Sequence, residues 1–93
     1  MYTVGPSKDF QKLLKKQRRS GKFNESLLEN LLQLLIGGKT LPSHYEDHAL
    51  KGDMQEYRQC HLRGDLLVQY KRDEVKKRIT LAKIGTHHEL LGN

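Results

Sequence analysis

The segment Glu56–Lys71, EYRQCHLRGDLLVQYK, is where the hydrophobic pattern of the chain changes from helical spacing to alternation. Two runs with strand character, Glu56–Leu62 and Asp65–Lys71, flank a short glycine-containing link, as they do in a β-hairpin. A third run, Val75–Ile84, follows a polar turn at residues 72–74. Three short strands in succession, joined by short links, predict an antiparallel meander.

The residues before this segment carry the signals of two helices. Ser7 occupies the N-cap position of a helix that runs to about Arg19, and Asn24 can cap a second, leucine-rich helix. Gly37–Gly38 supplies the stop of that second helix. Residues 2–4 are a candidate for a short first strand. The predicted fold class is α+β, with two N-terminal helices packed on one face of a small, mainly antiparallel sheet and the other face free for a site.

The length and the charge of the chain indicate how many domains it has and what kind of partner it binds. A chain of 93 residues predicts a single domain over residues 1–93. The net charge of +6 and the pI of about 9.6 favour a polyanionic or acidic partner. Much of the charge lies on the first helix, whose outer face is either an ordinary solvated surface or a surface for phosphates. Its cations are Lys8, Lys12, Lys15, Lys16, Arg18 and Arg19.

The cysteine count and the apolar runs indicate a cellular location. Cys60 is the single cysteine and cannot form an internal disulfide, which fits a reducing cytosol. The first residues lack the basic start and apolar run of a signal peptide. The longest apolar block, residues 27–36, is interrupted by polar residues and is too short to span a membrane. We therefore expect a soluble, cytoplasmic domain.

Candidate catalytic residues concentrate between His44 and Asp65. Residues 39–53 are predicted to be a loop, and a long loop in a small domain is often functional. His61 and Asp65 flank a three-residue link, so they are expected to close the hairpin as partners, with Cβ atoms about 5 Å apart. A carboxylate in that position orients an imidazole and stabilises its charged form. The alternative is a turn-capping aspartate beside an exposed histidine.

Four motifs stand at consistent spacing in the C-terminal half. They are a Tyr-x-Asp-His-x-Leu-x-Gly loop, a Tyr-Arg-x-x-His strand, an aspartate that opens the next strand, and a Gly-Thr-His near the end. Their residues are Tyr45, Asp47, His48, Leu50, Gly52, Tyr57, Arg58, His61, Asp65, Gly85, Thr86 and His87. This half resembles the RelE/YafQ superfamily of bacterial type II toxins, and it is most similar to the YafQ branch. The helical half matches in architecture alone.

The resemblance implies a ribosome-dependent endoribonuclease that cuts messenger RNA without a metal or another cofactor. It also implies a catalytic group made of His48, His61, Asp65 and His87. Cleavage of this kind uses the adjacent 2′-OH as nucleophile, so it needs a base for that hydroxyl and an acid for the leaving 5′-oxygen. Histidine suits both tasks because its ordinary pKa of about 6.5 lies near working pH. The expected roles are His87 as acid and either His48 or Asp65 as base.

Supporting roles follow from the same resemblance. His61 is expected to orient Asp65 or to contact phosphate, and Lys83, with Lys51 or Arg58, to stabilise the charge of the transition state. Leu91 is the expected contact to RNA near the C-terminus. The implied partners are a cognate antitoxin and messenger RNA on the ribosome, with contacts to ribosomal RNA through the basic helix Lys8–Arg19, and no membrane.

Three positions depart from the family pattern. Leu66 and Leu91 stand where the family often has aromatic residues that would pack on bases, so base preference or affinity can differ in this chain. Lys83 stands where arginine is frequent. The positive charge is kept, but a lysine cannot form the bidentate fork that arginine offers to a phosphate.

Other function classes remain open on the sequence. A metal site could draw on six side chains, but no Cys-x-x-Cys pair or familiar zinc spacing is present. These side chains are His44, His48, Cys60, His61, His87 and His88. His44 and His88 are expected to be surface residues, and Cys60 a core residue. The main alternative is a non-catalytic toxin on the same fold, similar to the ParE-type toxins that bind DNA gyrase. A basic nucleic-acid-binding module without activity is the third.

Overall fold

The computed structural model describes residues 1–92 and confirms the predicted fold class. Five strands form one sheet in the order β1-β5-β4-β3-β2, with β1 parallel to β5 and every other neighbouring pair antiparallel. The strands are β1 (Thr3–Pro6), β2 (His48–Ala49), β3 (Tyr57–Arg63), β4 (Leu66–Asp73) and β5 (Arg78–Thr86). The helices are α1 (Lys8–Arg19), α2 (Glu25–Gly37) and α3 (His87–Leu91).

Local capping fixes the ends of α1 and α2 as the sequence predicts. The Ser7 hydroxyl accepts a hydrogen bond from the backbone N–H of Phe10 at 3.0 Å, and the Asn24 side chain accepts one from Ser26 at 3.0 Å. Gly38 ends α2 with a φ of 69°, a left-handed conformation that glycine adopts without steric cost. The two predicted helices therefore begin and end where their caps require.

The hydrophobic core lies between the two long helices and one face of the sheet. Phe10 from α1 and Leu31 and Leu35 from α2 pack against strand residues that include Ile79. Cys60 is fully buried there, as predicted, and burial raises the pKa of its thiol to about 12. The thiol therefore stays protonated and is not a nucleophile. Within residues 1–92, no helix has both the length and the apolar character needed to cross a membrane.

A β-bulge at Leu62 sets the register of the central hairpin. His61 lies opposite Leu67, while Arg63 lies opposite Leu66, so Leu62 is the extra residue on β3. The expected three-residue loop closed by His61 and Asp65 is therefore wrong. The hairpin turns through Gly64 and Asp65, with a φ of 51° at Gly64. This places Asp65 at the tip of the turn.

A second irregularity, at Ala82, determines which way Lys83 points. Gln69 lies opposite Lys83 and Tyr70 lies opposite Leu81, so Ala82 is the extra residue on β5. Leu81 consequently faces the core while Lys83, two residues on, faces the open side of the sheet. The Ser7 hydroxyl donates a hydrogen bond to the Ala82 carbonyl at 3.0 Å, which ties this bulge to the start of α1.

The structure contains two elements that the sequence analysis did not predict. Residues 39–53 were predicted to be a loop, but they contain the short edge strand β2 between two 3₁₀ turns at Ser43–Tyr45 and Gly52–Met54. The segment after β5 forms the five-residue helix α3. The strand predicted at Val75–Ile84 corresponds to β5, which ends two residues later than predicted, at Thr86. His87 is therefore the first residue of α3.

Candidate active site

His87 contacts Asp65 at the end of the sheet where β5 leads into α3. The His87 ring nitrogen Nδ1 makes a short hydrogen bond to Oδ1 of Asp65, and the His87 backbone N–H points at the same oxygen from 3.4 Å. A carboxylate can only accept, so the proton of this bond lies on Nδ1 and leaves Nε2 free for chemistry. The bond from His87 holds the pKa of Asp65 below its usual range. Asp65 therefore orients His87, not the His61 that the sequence analysis assigned to it.

His61 lies beside this dyad on the same face of the sheet. Its ring centroid is 5.5 Å from that of His87, and its side chain is 21% exposed. Its Nδ1 is buried without a hydrogen-bond partner among residues 1–92, because the nearest carboxylate oxygen, from Glu46, is 3.7 Å away. Because Nδ1 is buried and unpaired, Nε2 is the ring nitrogen of His61 that is left for chemistry.

The edge strand β2 places His48 on the third side of the site. His48 lies opposite Gln59 in the β2–β3 pairing, so it faces the open side of the sheet with His61. Its Nδ1 contacts the carbonyl of Ala49 at 3.2 Å, and a carbonyl can only accept. The His48 Nδ1 therefore carries a proton in this contact, and in the neutral ring Nε2 is an unprotonated base.

A buried polar cluster behind β2 fixes the position of His48. Asp47 accepts a hydrogen bond from Arg58 Nε at 3.0 Å on one oxygen and from the Tyr70 hydroxyl at 2.6 Å on the other. Arg58 alternates with His61 along β3 and projects to the opposite face of the sheet. Its expected role as a phosphate contact stays a prediction, and the contact observed for Arg58 is with Asp47. Arg58 holds Asp47, and Asp47 holds the strand that carries His48.

The Gly-Thr-His motif joins β5 to α3 and aims His87. The Thr86 side chain caps α3 by accepting a hydrogen bond from the Glu89 backbone N–H at 3.2 Å, and the Glu89 carboxylate accepts one from the Thr86 backbone N–H at 2.9 Å. Gly85 allows α3 to pack closely against the end of β5, because a Cβ at this position would lie 3.1 Å from Leu90 and 3.2 Å from the Glu89 carboxylate. Each residue of the motif thus has a packing or capping reason to precede His87.

Glu89 also ties α3 to α1, a role that the sequence analysis missed. Its carboxylate pairs with Lys16 at 2.6 Å and accepts a hydrogen bond from the Gln17 amide at 3.1 Å. The hydrogen bond from Lys16 is the largest cause that lowers the pKa of Glu89 to about 2. The signal was present in the sequence, because threonine followed three residues later by glutamate is the capping-box pattern. Residues 86–89 have that pattern.

We predict that this contact is lost in acid. Since the folded pKa of Glu89 lies near 2, below its ordinary 4.5, its stabilisation is complete above pH 4.5 and disappears as the pH falls towards 2. The stability of the wild type should therefore fall more steeply in that interval than the stability of Glu89→Gln. Urea unfolding at a series of pH values measures this difference, and parallel curves for the two proteins would contradict it.

The remaining predicted contacts lie around the same face. Lys83 lies opposite Gln69, in one row across the sheet with Gln59 and His48. Lys51 follows β2 and is exposed, and Leu91 is 45% exposed at the end of α3. His44 and His88 are exposed, as predicted. Leu66 is half-buried and packs against the core on the other face, away from the histidines.

The described residues contain no ready-made set of metal ligands. Within residues 1–92, no three side chains of histidine, cysteine, aspartate or glutamate are gathered closely enough to hold one. Cys60 lies in the core, and Asp65 is already engaged by His87. The site is instead a set of three imidazoles and one carboxylate around an open, solvent-filled end of the sheet.

Comparisons with known proteins agree with this fold. The Escherichia coli K12 protein named mRNA interferase toxin YafQ is 35% identical over 77 residues, which cover 82% of this chain and 79% of that protein. The toxin in the crystal structure of the E. coli DinJ–YafQ toxin–antitoxin complex superposes with a TM-score of 0.87 at 30% identity, over 98% of each chain. A metal-bound toxin from Helicobacter pylori superposes with a TM-score of 0.88 at 36% identity, over 97% of this chain and 99% of that one.

The fold and the site thus define a small bacterial toxin built from two long helices on a five-stranded sheet. A family model for YafQ, the bacterial toxin of type II toxin–antitoxin systems, matches residues 2–92. The chain belongs to the YafQ toxin family.

Proposed function

We propose that the chain is a ribosome-dependent endoribonuclease that cleaves messenger RNA by attack of the 2′-OH and thereby stops translation. The observation that carries this proposal is the His87 imidazole, which Asp65 holds through Nδ1 beside His61 and whose Nε2 is left free. A protein that acts by binding alone has no use for an oriented imidazole. The similarity to the E. coli mRNA interferase toxin supports the same reaction.

The two proton transfers fit His48 and His87. The Nε2 of neutral His48 takes the proton of the 2′-OH as its oxygen attacks the phosphorus, and a 2′,3′-cyclic phosphate forms. The bond from phosphorus to the 5′-oxygen breaks, and His87 Nε2 gives that oxygen a proton to produce a 5′-OH. Asp65 stabilises the imidazolium form of His87 before the transfer. Because Asp65 is bound to His87, it is not the base, and that role passes to His48.

Positive charge and donors on the same face stabilise the phosphorane. The Nε2 of His61 is the ring nitrogen left to donate to a non-bridging oxygen, since its Nδ1 is buried. Lys83 in the row with His48, and the exposed Lys51 just after β2, add positive charge. Preorganised donors of this kind are typically the largest electrostatic contribution to such a reaction.

We propose that the reaction needs no metal ion, because no triad of ligands exists within the described residues. The metal-bound form of the H. pylori toxin makes this worth a direct test. We expect 1,10-phenanthroline, which captures transition metals and leaves ribosomal magnesium in place, to leave the rate of cleavage unchanged within about a factor of two. A loss of activity that returns with zinc or copper would overturn metal independence and leave the nuclease itself intact.

The charge of the chain suits both proposed partners. In α1, Lys16 and Arg18 pair with Glu89 and Glu25, while Lys8, Lys12 and Lys15 project into solvent. This row of cations is suited to the phosphates of ribosomal RNA. A cognate antitoxin is the second partner, as in the E. coli DinJ–YafQ complex. It would neutralise the toxin by covering the basic open face.

The experiment that tests the function is a primer-extension map of a reporter message after brief induction of the chain in bacteria. Discrete cuts at fixed positions within codons are the expected result. Growth arrest with intact messages would overturn the nuclease and favour a toxin that binds another target such as DNA gyrase. Cuts that do not depend on translation would retain the nuclease and remove the requirement for the ribosome.

A further inference from the structure

A cleft beside the histidines contributes only Lys83 to the mechanism above. It lies on the open face between β3, β4 and β5 and the start of α1, and its volume of about 380 Å³ is in the range of small-ligand sites. Its walls include Tyr57, Lys71 and Lys83, and its floor includes Gln69. We infer that this cleft receives a nucleobase of the RNA, one step along the strand from the phosphate that is cut. This inference rests on the proposed nuclease function.

Gln69, which lines the floor of the cleft, belongs to a buried pair of glutamines that is only half satisfied. Gln59 is 4% exposed and Gln69 is 3% exposed, and the amide of Gln69 donates to the amide oxygen of Gln59 at 2.9 Å. The hydrogen bonds of residues 1–92 give Gln59 Nε2 and Gln69 Oε1 no partner in the protein. Burying an amide without partners costs free energy, which an apolar pair at these positions would avoid.

Gln69 is the member of the pair that lines the cleft, and its amide oxygen Oε1 has no partner among the hydrogen bonds of residues 1–92. Among the described residues, the side-chain atoms that are both buried and unpaired are His61 Nδ1 and Arg72 Nε, so the Gln69 oxygen is not in that class. Gln69 therefore has an acceptor left for an incoming molecule. The edges of nucleobases carry matching donors, and glutamine is a common partner for them.

The walls of the cleft are suited to a base with its attached phosphate. Tyr57 is half-buried and presents an aromatic surface, and base–aromatic stacking is a general source of affinity for single-stranded RNA. The Lys71 ammonium lies 5.8 Å from the centre of the Tyr57 ring and 3.2 Å from Glu56. Lys83 is exposed on the opposite side. A free anion would need the cations alone, whereas the aromatic wall and the amide floor fit a base.

The strand pairing sets the distance from this cleft to the site of cleavage. His48, Gln59, Gln69 and Lys83 form one row across the sheet, and His61 lies on the same face two residues along β3. Two residues of a strand span roughly 6.6 Å. An RNA strand with its phosphate at the histidines therefore places a neighbouring nucleotide over the glutamines without leaving the open face.

We would test the cleft with the full chain labelled with ¹⁵N and with 2′-O-methylated trinucleotides, which cannot be cut because the nucleophile is blocked. The expected result is a shift of the side-chain amide signals of Gln59 and Gln69, with no shift of the exposed Gln33 on α2. An abasic trinucleotide, or inorganic phosphate, should not move them. Equal shifts with these probes, or none with any RNA, would overturn the nucleobase site.

The matched variant is the double change Gln59→Met and Gln69→Met, because it removes both amides at similar volume and leaves neither orphaned. We expect it to keep the melting temperature and to bind the preferred trinucleotide about tenfold or more weakly, as for lost base contacts. Gln33→Met is the control. Unchanged affinity in the double variant would overturn the inference. If the wild type binds the trinucleotide but does not cleave messenger RNA on ribosomes, the proposed nuclease function is overturned and the base site is retained.

Discussion

Replacing His87 by alanine is expected to slow messenger RNA cleavage by about 10²- to 10⁴-fold, the usual contribution of a general acid. The variant loses the one imidazole that Asp65 orients, so the 5′-oxygen must leave without a positioned proton donor. Folding should be retained, because the His87 side chain is 42% exposed and the cap of α3 is made by Thr86 and Glu89. Primer extension on programmed ribosomes measures the loss.

His88→Ala is the matched control for this prediction. His88 is the next residue of the same short helix, but it is exposed and takes no part in the Asp65 contact. We expect this variant to cleave at the wild-type rate. The cleavage rate of Asp65→Asn should lie between those of His87→Ala and His88→Ala, because an amide keeps a hydrogen bond to His87 but loses the charge that stabilises the imidazolium. Full cleavage by His87→Ala would remove His87 from the chemistry and leave the binding class as the better explanation.

The parts of the fold that could be predicted are those with local signals. Caps at Ser7 and Asn24, the glycine stop after α2 and the alternation of the strands each act over a few neighbouring residues. Even the placement of Arg58 and His61 on opposite faces of the sheet was available in the sequence. Residues 58 and 61 are an odd number of positions apart, so one strand must send them to opposite faces.

The parts that could not be predicted depend on long-range pairing. Nothing local marks Leu62 or Ala82 as bulged residues, yet these two bulges move Asp65 to the tip of a turn and turn Lys83 to the open face. The strand β2 has only two residues and forms because β3 is there to pair with it. The dyad of Asp65 and His87 therefore comes from the tertiary structure, since 22 positions separate the two residues.

In the proposed mechanism, the family motifs divide into residues that react and residues that hold them. His48, His61 and His87 reach the open face, whereas Asp47, Arg58 and Gly85 serve the backbone around them. The two kinds of residue predict different consequences of mutation. Loss of a reacting residue should leave the free energy of unfolding nearly unchanged, and loss of a holding residue should lower both stability and activity.

Asp47→Ala is the sharpest test of that division, because Asp47 connects β2 to the core. Its carboxylate is 17% exposed and satisfies both the guanidinium of Arg58 and the hydroxyl of Tyr70, which is 1% exposed. Removing it orphans a buried hydroxyl and frees a partly buried cation. We expect a loss of about 2–3 kcal/mol in the free energy of unfolding. Tyr70→Phe removes one of the two bonds and should cost about 1 kcal/mol.

Asp47→Ala should also reduce the rate of cleavage by more than the loss of folded protein explains. The strand β2 is held by two residue pairs with β3 and by the bond from the Leu50 N–H to the Tyr57 carbonyl at 2.9 Å, so without Asp47 it frays and His48 loses its place. Urea unfolding and ribosomal cleavage, measured where the variant is still fully folded, separate the two effects. Glu46→Ala, at an exposed neighbour, should leave stability within about 0.5 kcal/mol of wild type. Wild-type cleavage by folded Asp47→Ala would show that His48 is placed by the strand pairing alone.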